Sequence, residues 1–479
     1  MPLLRAAVAR LAPVLPLLQE LGSLFVAHGH ELALVGGPVR DAFLGRTSPD
    51  LDFTTDATPD EILAVAGDWA DAHWDIGRDF GTIGVRKGSH HIEITTYRAD
   101  VYDRASRKPE VMFGETLEGD LGRRDFTVNA MAIRLPSLEF VDLHGGLADL
   151  AAQRLMTPAT AEESFSDDPL RMMRAARFVA QLGFDVAPEV RTAMTERAGT
   201  LGMISAERIR DEFSKLLLAP RPRLGLTLLV DTGLADVFLP ELPALRLELD
   251  EHHRHKDVYE HSLIVLEQAI DLEGPSDGDP ESVPGPDLVL RLAALLHDIG
   301  KPATRRFEGG GGVSFHHHEL VGAKLASKRL KAMRFDKDTT KQVARLVELH
   351  LRFHGYGEGQ WTDSAVRRYV NDAGPLLPRL HRLTRSDCTT RNVRKAQRLS
   401  RAYDDLEGRI VRLSAEEELA AIRPELDGNE IAATLGIRPG PVLGEAYKHL
   451  LTVRLDEGPI GKDAVRERLL EWWAQRTDG

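Results

Sequence analysis

One cysteine, Cys388, stands in 479 residues. No intrachain disulfide can therefore staple the fold, and the composition fits a reducing compartment. Long apolar runs are missing as well, so no segment reads as a bilayer-spanning helix. The opening stretch, LLRAAVARLAPVLPLLQELGSLFVAHG, is broken by prolines and charges and reads as amphipathic helix rather than signal peptide. A cytoplasmic protein with no membrane partner is expected. An excess of positive charge is also lacking: the net charge is −13, which excludes a uniformly basic coat for nucleic acid. Local basic stretches survive around 123–124, 171–177 and 379–401. No internal repeat emerges.

What is present is ordinary for a folded protein, 42% hydrophobic and 28% charged. The length calls for more than one core. Early on, short apolar runs alternate with helical patterns: LALVGG, LDFTT, GTIGVRK, HHIEITTYR and MAIRL read as strands. From about residue 160 amphipathic helical spacing takes over, as in DDPLRMMRAARFVAQLGF and AERIRDEFSKLLL. The expected class is α+β, a small mixed sheet followed by an extended, mostly helical body. Four segments are expected, over 1–155, 156–245, 246–395 and 396–479. DLEGPSDGDPESVPGPD (271–287) reads as a flexible insertion and EGGGG (308–312) as a second loop.

Chemistry is first suggested by DLDF. On a strand, Asp50 and Asp52 point to one face, at a cost of like-charge repulsion that a hard cation such as Mg²⁺ would remove. Alone, such a pair is more often a polar turn. The preceding GGPVRD places Gly36 and Gly37 where a backbone can approach a ligand closely, with Arg40 next to them. Glu93, on HHIEITT, is a third carboxylate candidate or an open-face edge residue.

GGPVRD, DLDF, RRDFTVNAM, DLHGGLADL and DDPLRMMRAARF, in this order, resemble a bacterial class II tRNA nucleotidyltransferase (CCA-adding enzyme) of the DNA polymerase beta-like superfamily. The resemblance covers roughly the first half of the chain. It implies a catalytic head over 1–155, with Gly36, Gly37 and Arg40 on the triphosphate and Asp50 and Asp52 holding magnesium. Arg123 or Arg124, with Asp125 and Asn129, would form a second nucleotide-binding motif. The implied partners are tRNA, CTP and ATP; oligomeric state is not given.

DDPLRMMRAARF can also be read from its own spacing. Pro169 suits a first helical position, making Asp168 an N-cap. Asp168, Arg171, Arg174 and Arg177 then recur every third residue, leaving Leu170 and Met173 to the core. The bland reading is a capped, solvated basic face. The functional one uses the pairing edges of cytosine and adenine, which both offer an amino donor beside a ring-nitrogen acceptor. A carboxylate accepts from the first and a guanidinium donates to the second, whereas uracil and guanine reverse the order. In the resembled family the Asp168 and Arg171 positions select CTP and ATP, with Arg174 and Arg177 as further nucleotide contacts in the 156–245 segment. This chain has Asp-Asp where many members have Glu-Asp. A long segment carrying Arg104, Arg107, Lys108 and Glu110 corresponds to the loop linked to the final adenosine.

The later half holds a second set of candidates. A buried His-Asp pair inside the apolar LRLAALLHDIG needs a partner or a metal. The spacing resembles HD phosphohydrolases, with a divalent ion (Mg, Mn or Ni). His261, His297, Asp298 and Asp387 are expected to hold one metal, and His318 and His350 a second, with Lys301 near phosphate. Among His316, His317 and His318 the spacing alone does not choose. Arg391, Arg394, Lys395 and Arg398 are either a solvated helix face or phosphate contacts in the C-terminal 396–479 region and just before it. The alternatives to CCA addition are a poly(A) polymerase, a CC-only or A-only enzyme, or a hydrolase using the head as an RNA-binding module.

Overall fold

A computed structural model describes residues 2–48, 50–75, 77–100, 111–113, 116–246, 257–275, 283–307, 313–353, 356, 361–390, 392–417 and 423–477. The chain forms two compact units, Met1–Val237 and Phe238–Gly479. No described helix is long and apolar enough to cross a membrane.

In the first unit the strands are β1 (Leu32–Val35), β2 (Asp50–Thr55), β3 (Ala72–Trp74), β4 (Thr82–Lys87), β5 (His90–Thr96), β6 (Arg98–Asp100), β7 (Val111–Phe113), β8 (Met131–Leu135), β9 (Glu139–Asp142) and the short parallel pair β10 (Arg154–Leu155) and β11 (Asp185–Val186). Seven of them form one sheet in the order β3-β4-β5-β2-β1-β8-β9, while β6 and β7 make a separate hairpin. Only the β2–β5 pairing in this sheet is parallel. All four residues of β1 are buried, as a central strand covered on both faces requires. In β2, Leu51 and Phe53 enter the core, so Asp50 and Asp52 emerge on the other face.

Helices α1 (Pro2–Arg10) and α2 (Leu15–Ala27) precede the sheet, and α3 (Gly37–Phe43) follows β1. The opening segment is thus two helices, divided before Leu15 where Pro13 and Pro16 interrupt the pattern. Then come α4 (Pro59–Ala66), α5 (Leu117–Gly122), α6 (Gly146–Ala151), α7 (Ala161–Asp167), α8 (Leu170–Leu182), α9 (Pro188–Arg197), α10 (Ala206–Leu217), α11 (Pro222–Asp231) and α12 (Leu234–Phe238). Helix α8 buries Met172, Met173, Ala175, Ala176 and Val179, and Gly183, at φ 74°, closes it in the left-handed region. The five strands read from the sequence are all present; β3 and β9 are too short or too mixed to show alternation.

The second unit is helical: α13 (Val258–Asp271), α14 (Leu288–Leu296), α15 (Lys301–Thr304), α16 (His318–Ala332), α17 (Lys337–Leu349), α18 (Asp363–Ala373), α19 (Leu377–Ser386), α20 (Val393–Glu417), α21 (Gly428–Leu435), α22 (Pro441–Glu457) and α23 (Lys462–Thr477). Leu426, Ile431, Ala446, Leu450, Val465 and Leu469 form a separate small core among the last three helices. The 271–287 segment is not simply a loose insertion. Its described ends are built in: Glu273 forms a buried ion pair with Arg291 at 2.7 Å, and Asp287 caps α14 through the Leu290 N–H at 2.7 Å. EGGGG and the segment with Arg104, Arg107, Lys108 and Glu110 lie outside the described residues, as does Arg391.

Candidate active sites

The first site is built at the end of β1. Gly36 turns the chain at φ 71°, a conformation that favours glycine. A Cβ there would lie 3.3 Å from Arg124 Nη1 and 3.9 Å from Asp52 Oδ2, so turn, acid and guanidinium converge on one spot. Parallel pairing sets Asp52 beside Glu93, which puts the third carboxylate on the same face as the first two. Burial, with Glu93 and Asp50 adding to it, raises the Asp52 pKa to about 6 against the pull of Arg124 and Arg40. Asp52 thus carries an electrostatic cost that a divalent cation bound to these oxygens would remove, so the donor set fits Mg²⁺.

Behind this face runs a chain of contacts that joins sheet to helices. Arg40 is buried, donating from Nη1 to Asn129 Oδ1 at 2.8 Å and pairing with Asp41 at 2.9 Å. Asn129 donates to Asp125 Oδ1 at 3.0 Å, and Asp125 Oδ2 accepts from Arg174 Nε at 2.8 Å. Burial alone would raise the Asp125 pKa, but Arg174, the Asn129 amide and the Phe126 N–H outweigh it and bring it to about 2. Arg177 meets Glu212 of α10 at 3.1 Å, and Arg174 lies 3.8 Å from the same carboxylate. The guanidinium carbons of Arg40, Arg174 and Arg177 lie 5.3, 5.5 and 4.5 Å from the Phe178 ring centre.

The solvated basic face is therefore overturned at Arg174 and Arg177, which are tied to buried acids. Asp168 does act as a cap: its Oδ1 accepts from the Leu170 N–H at 3.0 Å. Its carboxylate does not bond the Arg171 guanidinium; the two residues meet only through the backbone, the Arg171 N–H donating to the Asp168 carbonyl at 3.0 Å. Asp168 Oδ2 accepts instead from Arg208 of α10 at 2.9 Å. Arg171 donates to the Arg123 carbonyl at 2.5 Å and to Ser164 Oγ at 2.9 Å, and Arg124 donates to Asp120 at 3.1 Å. Arg208, Glu212, Ser164 and Asp120 were missed. Their partners are tens of residues away or sit in unremarkable helical text; only the acid–base alternation of AERIRDEF hinted at a role.

The second site is a closed cluster. His261, His297 and Asp387 offer ligand atoms all within 4.8 Å of one another, and so do Asp298, His318 and His350. This divides the residues differently from the expected grouping, which placed Asp298 with the first three. Asp298 faces both halves: Oδ2 lies 3.2 Å from His297 Nε2 and Oδ1 lies 3.2 Å from His318 Nε2. His261 Nε2 is 2.9 Å from Asp387 Oδ1. His318 is the buried member of its triplet; His316 and His317 are exposed.

Each ring is turned by a bond at its other nitrogen. Nδ1 of His297, His318 and His350 faces the Ala294, Phe315 and Val347 carbonyls at 2.8, 2.9 and 2.6 Å. His261 Nδ1 meets Thr389 Oγ1 at 3.1 Å. Carbonyl tethers of this kind engage the Nδ1 proton and aim Nε2 inward, the nitrogen that binds metal once it is deprotonated. His350 Nε2 is buried with no hydrogen-bond partner, and burial followed by the nearby His297 lowers its pKa to about 3. Burial would also lower His297, but Asp298 and Asp387 raise it to about 10. Asp298 is held well below the usual carboxylate range: burial opposes this, while His297 and Lys301 prevail. Lys301 Nζ stands 2.9 Å from Asp298. An N/O donor set with an orphaned imidazole fits one or two divalent metals.

The comparisons cover the segments that carry both sites. Residues 32–156 match the poly A polymerase head domain, 183–245 the probable RNA and SrmB-binding site of polymerase A, and 258–413 the HD domain. The chain is 33% identical to the A-adding tRNA nucleotidyltransferase of Deinococcus radiodurans over 93% of its length and 96% of that protein. It is also 33% identical to the CC-adding tRNA nucleotidyltransferase of Thermus thermophilus, over 91% of this chain and 93% of that one. The fold matches the Bacillus stearothermophilus CCA-adding enzyme solved with CTP at a TM-score of 0.68 and 24% identity, covering 98% and 99% of the two chains. Head, acid pair and HD cluster together define a nucleotidyltransferase with an appended HD domain. The chain belongs to the tRNA nucleotidyltransferase family.

Proposed function

We propose that this protein adds CMP and then AMP, from CTP and ATP, to the 3′ end of tRNA without a nucleic-acid template. The convergence of the Gly36 turn, Arg124 and Asp52 beside Glu93 carries this reading. Asp50 and Asp52, with Glu93 alongside, would hold Mg²⁺, whose charge stabilises the attacking 3′ oxygen and the departing pyrophosphate. The chain's own work is positioning. Gly36 and Gly37 leave room for the triphosphate, and Arg40, Arg123 and Arg124, with Asp125 and Asn129, shape the wall around it. Asp168 accepts from the base amine and Arg171 donates to the ring nitrogen, so UTP and GTP leave both unpaired. Arg174 and Arg177, one and two turns further along α8, would be further nucleotide contacts held by Asp125 and Glu212.

Incubating tRNA that lacks its 3′ CCA with labelled CTP, ATP or both tests the reading. Growth by CC with CTP, completed by A only when both are present, is the expected result. A second reading has a specific basis: two relatives that match nearly full-length are named A-adding and CC-adding tRNA nucleotidyltransferases. Incorporation of one nucleotide only would favour it, and long A-tracts without CTP would favour a poly(A) polymerase.

We also propose that the HD cluster hydrolyses phosphoesters. His261, His297 and Asp387 would hold one divalent ion and Asp298, His318 and His350 another, Mg, Mn or Ni. The ions would supply Lewis acidity to water and phosphate, while Lys301 offsets phosphate charge. The functional division is a head over 1–155, a template and RNA-binding region over 156–245, the HD domain over 246–395 and a C-terminal region over 396–479. Arg394, Lys395 and Arg398, exposed on α20, would contact tRNA phosphates together with Arg391. The compartment is the cytoplasm, where tRNA and nucleoside triphosphates meet.

A further inference from the structure

Both oxygens of Asp168 are engaged. Oδ1 takes the Leu170 N–H at 3.0 Å, which fixes one edge of the carboxylate to the start of α8. Oδ2 takes Arg208 Nη2 at 2.9 Å. With two anchors the carboxylate plane cannot turn, and two of its roughly four acceptor positions remain for a base amine. Arg208 lies in the first turn of α10, whose cap, Ser205, accepts the Arg208 N–H at 3.4 Å. One turn further on, Glu212 of the same helix holds Arg177 and Arg174. A single helix therefore fixes α8 at its reading end and at its buried end.

We propose that Arg208 is a specificity-determining positioning residue, which aims the Asp168 carboxylate at the amino group of the incoming base. The proposal rests on the reading of Asp168 and Arg171 as the base selectors. Its force comes from a contrast between the two selectors. Arg171 is held by a backbone carbonyl and a buried serine, Ser164, groups that cannot move without moving the fold. Asp168 is held on one side by a long side chain that is 53% exposed, against 30% for Asp168 itself. An ion pair this open adds little to stability, so folding gives no strong reason for Arg208 to be there. Orientation does. Without Arg208, Asp168 keeps its cap bond but can rotate Oδ2 away, and the penalty for presenting a uracil or guanine carbonyl to it falls.

The test measures kcat/KM for CTP and UTP, and for ATP and GTP, on tRNA acceptors in full-length Arg208→Ala, Arg208→Lys and Asp168→Asn, with the double variant Arg208→Ala plus Asp168→Asn. Thermal melts accompany each. Arg208→Ala should melt within a few degrees of the parent and lose about tenfold in discrimination against UTP and GTP. Arg208→Lys should recover part of it, and the double variant should discriminate no worse than Asp168→Asn alone. Unchanged discrimination in both Arg208 variants, alongside its collapse in Asp168→Asn, would overturn the role of Arg208 and leave the base-selector reading standing. Equal losses with correct and incorrect nucleotides would make Arg208 a structural brace and also overturn the proposal. Unchanged discrimination in Asp168→Asn would instead sink the reading beneath it.

Discussion

The two sites solve the problem of charge in opposite ways. In the first unit, carboxylates stand on an open strand face: Asp50 and Glu93 are exposed, Asp52 is half-buried, and the cations near them are tethered from behind by Asp125, Asp120 and Glu212. In the second, His297, Asp298, His318 and His350 are all buried, and each of these imidazoles is oriented through a backbone carbonyl. The open site leaves room for a large anionic substrate to complete it. The closed one is a preassembled cage whose fit depends on the carbonyls that orient its rings. One chain thus carries a site finished by its substrate and another finished by its own backbone.

If that contrast holds, the sites fail separately and by different routes. The largest effect is expected from Asp50→Ala plus Asp52→Ala, which should lower nucleotide addition by at least about a thousandfold while phosphoester hydrolysis continues; both are read on the same preparation. The mirror change, His297→Ala plus Asp298→Ala, should remove hydrolysis and the metal that copurifies, measured by elemental analysis, and leave addition intact. Loss of both activities in either variant would erase the comparison.

Gly300→Ala probes the backbone packing behind the cage. An added Cβ would come 2.1 Å from the His318 carbonyl and 2.7 Å from the Gly322 nitrogen, forcing apart the turn after Asp298 and the start of α16. Metal affinity should fall about 10- to 100-fold, checked by titration with Mn²⁺.

The support of the open site has a pH signature. Asp125 has a folded pKa of about 2, below an unfolded value of about 4. A depressed carboxylate contributes stability that is fully present above the unfolded value and lost as pH falls through the folded one. Thermal stability should therefore drop between about pH 4 and pH 2, and Asp125→Asn should flatten that slope. Because it breaks a buried pair, it should also cost about 3 kcal/mol at neutral pH, seen in denaturant melts. The smallest effect belongs to the exposed Arg394, Lys395 and Arg398: reversing them to Glu should weaken tRNA binding and flatten its salt dependence.

Much of this was legible in the sequence where chemistry is local. D-x-D places two acids on one strand face because the side-chain period of a strand is two, and the structure puts Asp50 and Asp52 there. His297 and Asp298 stand inside an apolar helix end, so their need for partners was visible from the run itself. What could not be read was pairing at a distance. Asp125 and Arg174 are separated by 49 residues, and Asp168 and Arg208 by 40. Helical spacing showed the arginines of α8 lying near one stripe but not which acids would meet them. For the same reason adjacency in sequence showed Asp298 beside His297, where its Oδ2 does lie at 3.2 Å, but not that packing turns its other oxygen to His318.

The most direct test of the central claim is the extension of tRNA ending before its CCA, with labelled CTP and ATP supplied singly and together. The account predicts addition of CC from CTP alone and completion to CCA when both are present, with neither UTP nor GTP incorporated. Addition of one nucleotide type only, growth of an A-tract without CTP, or extension that survives loss of Asp50 and Asp52 would contradict it.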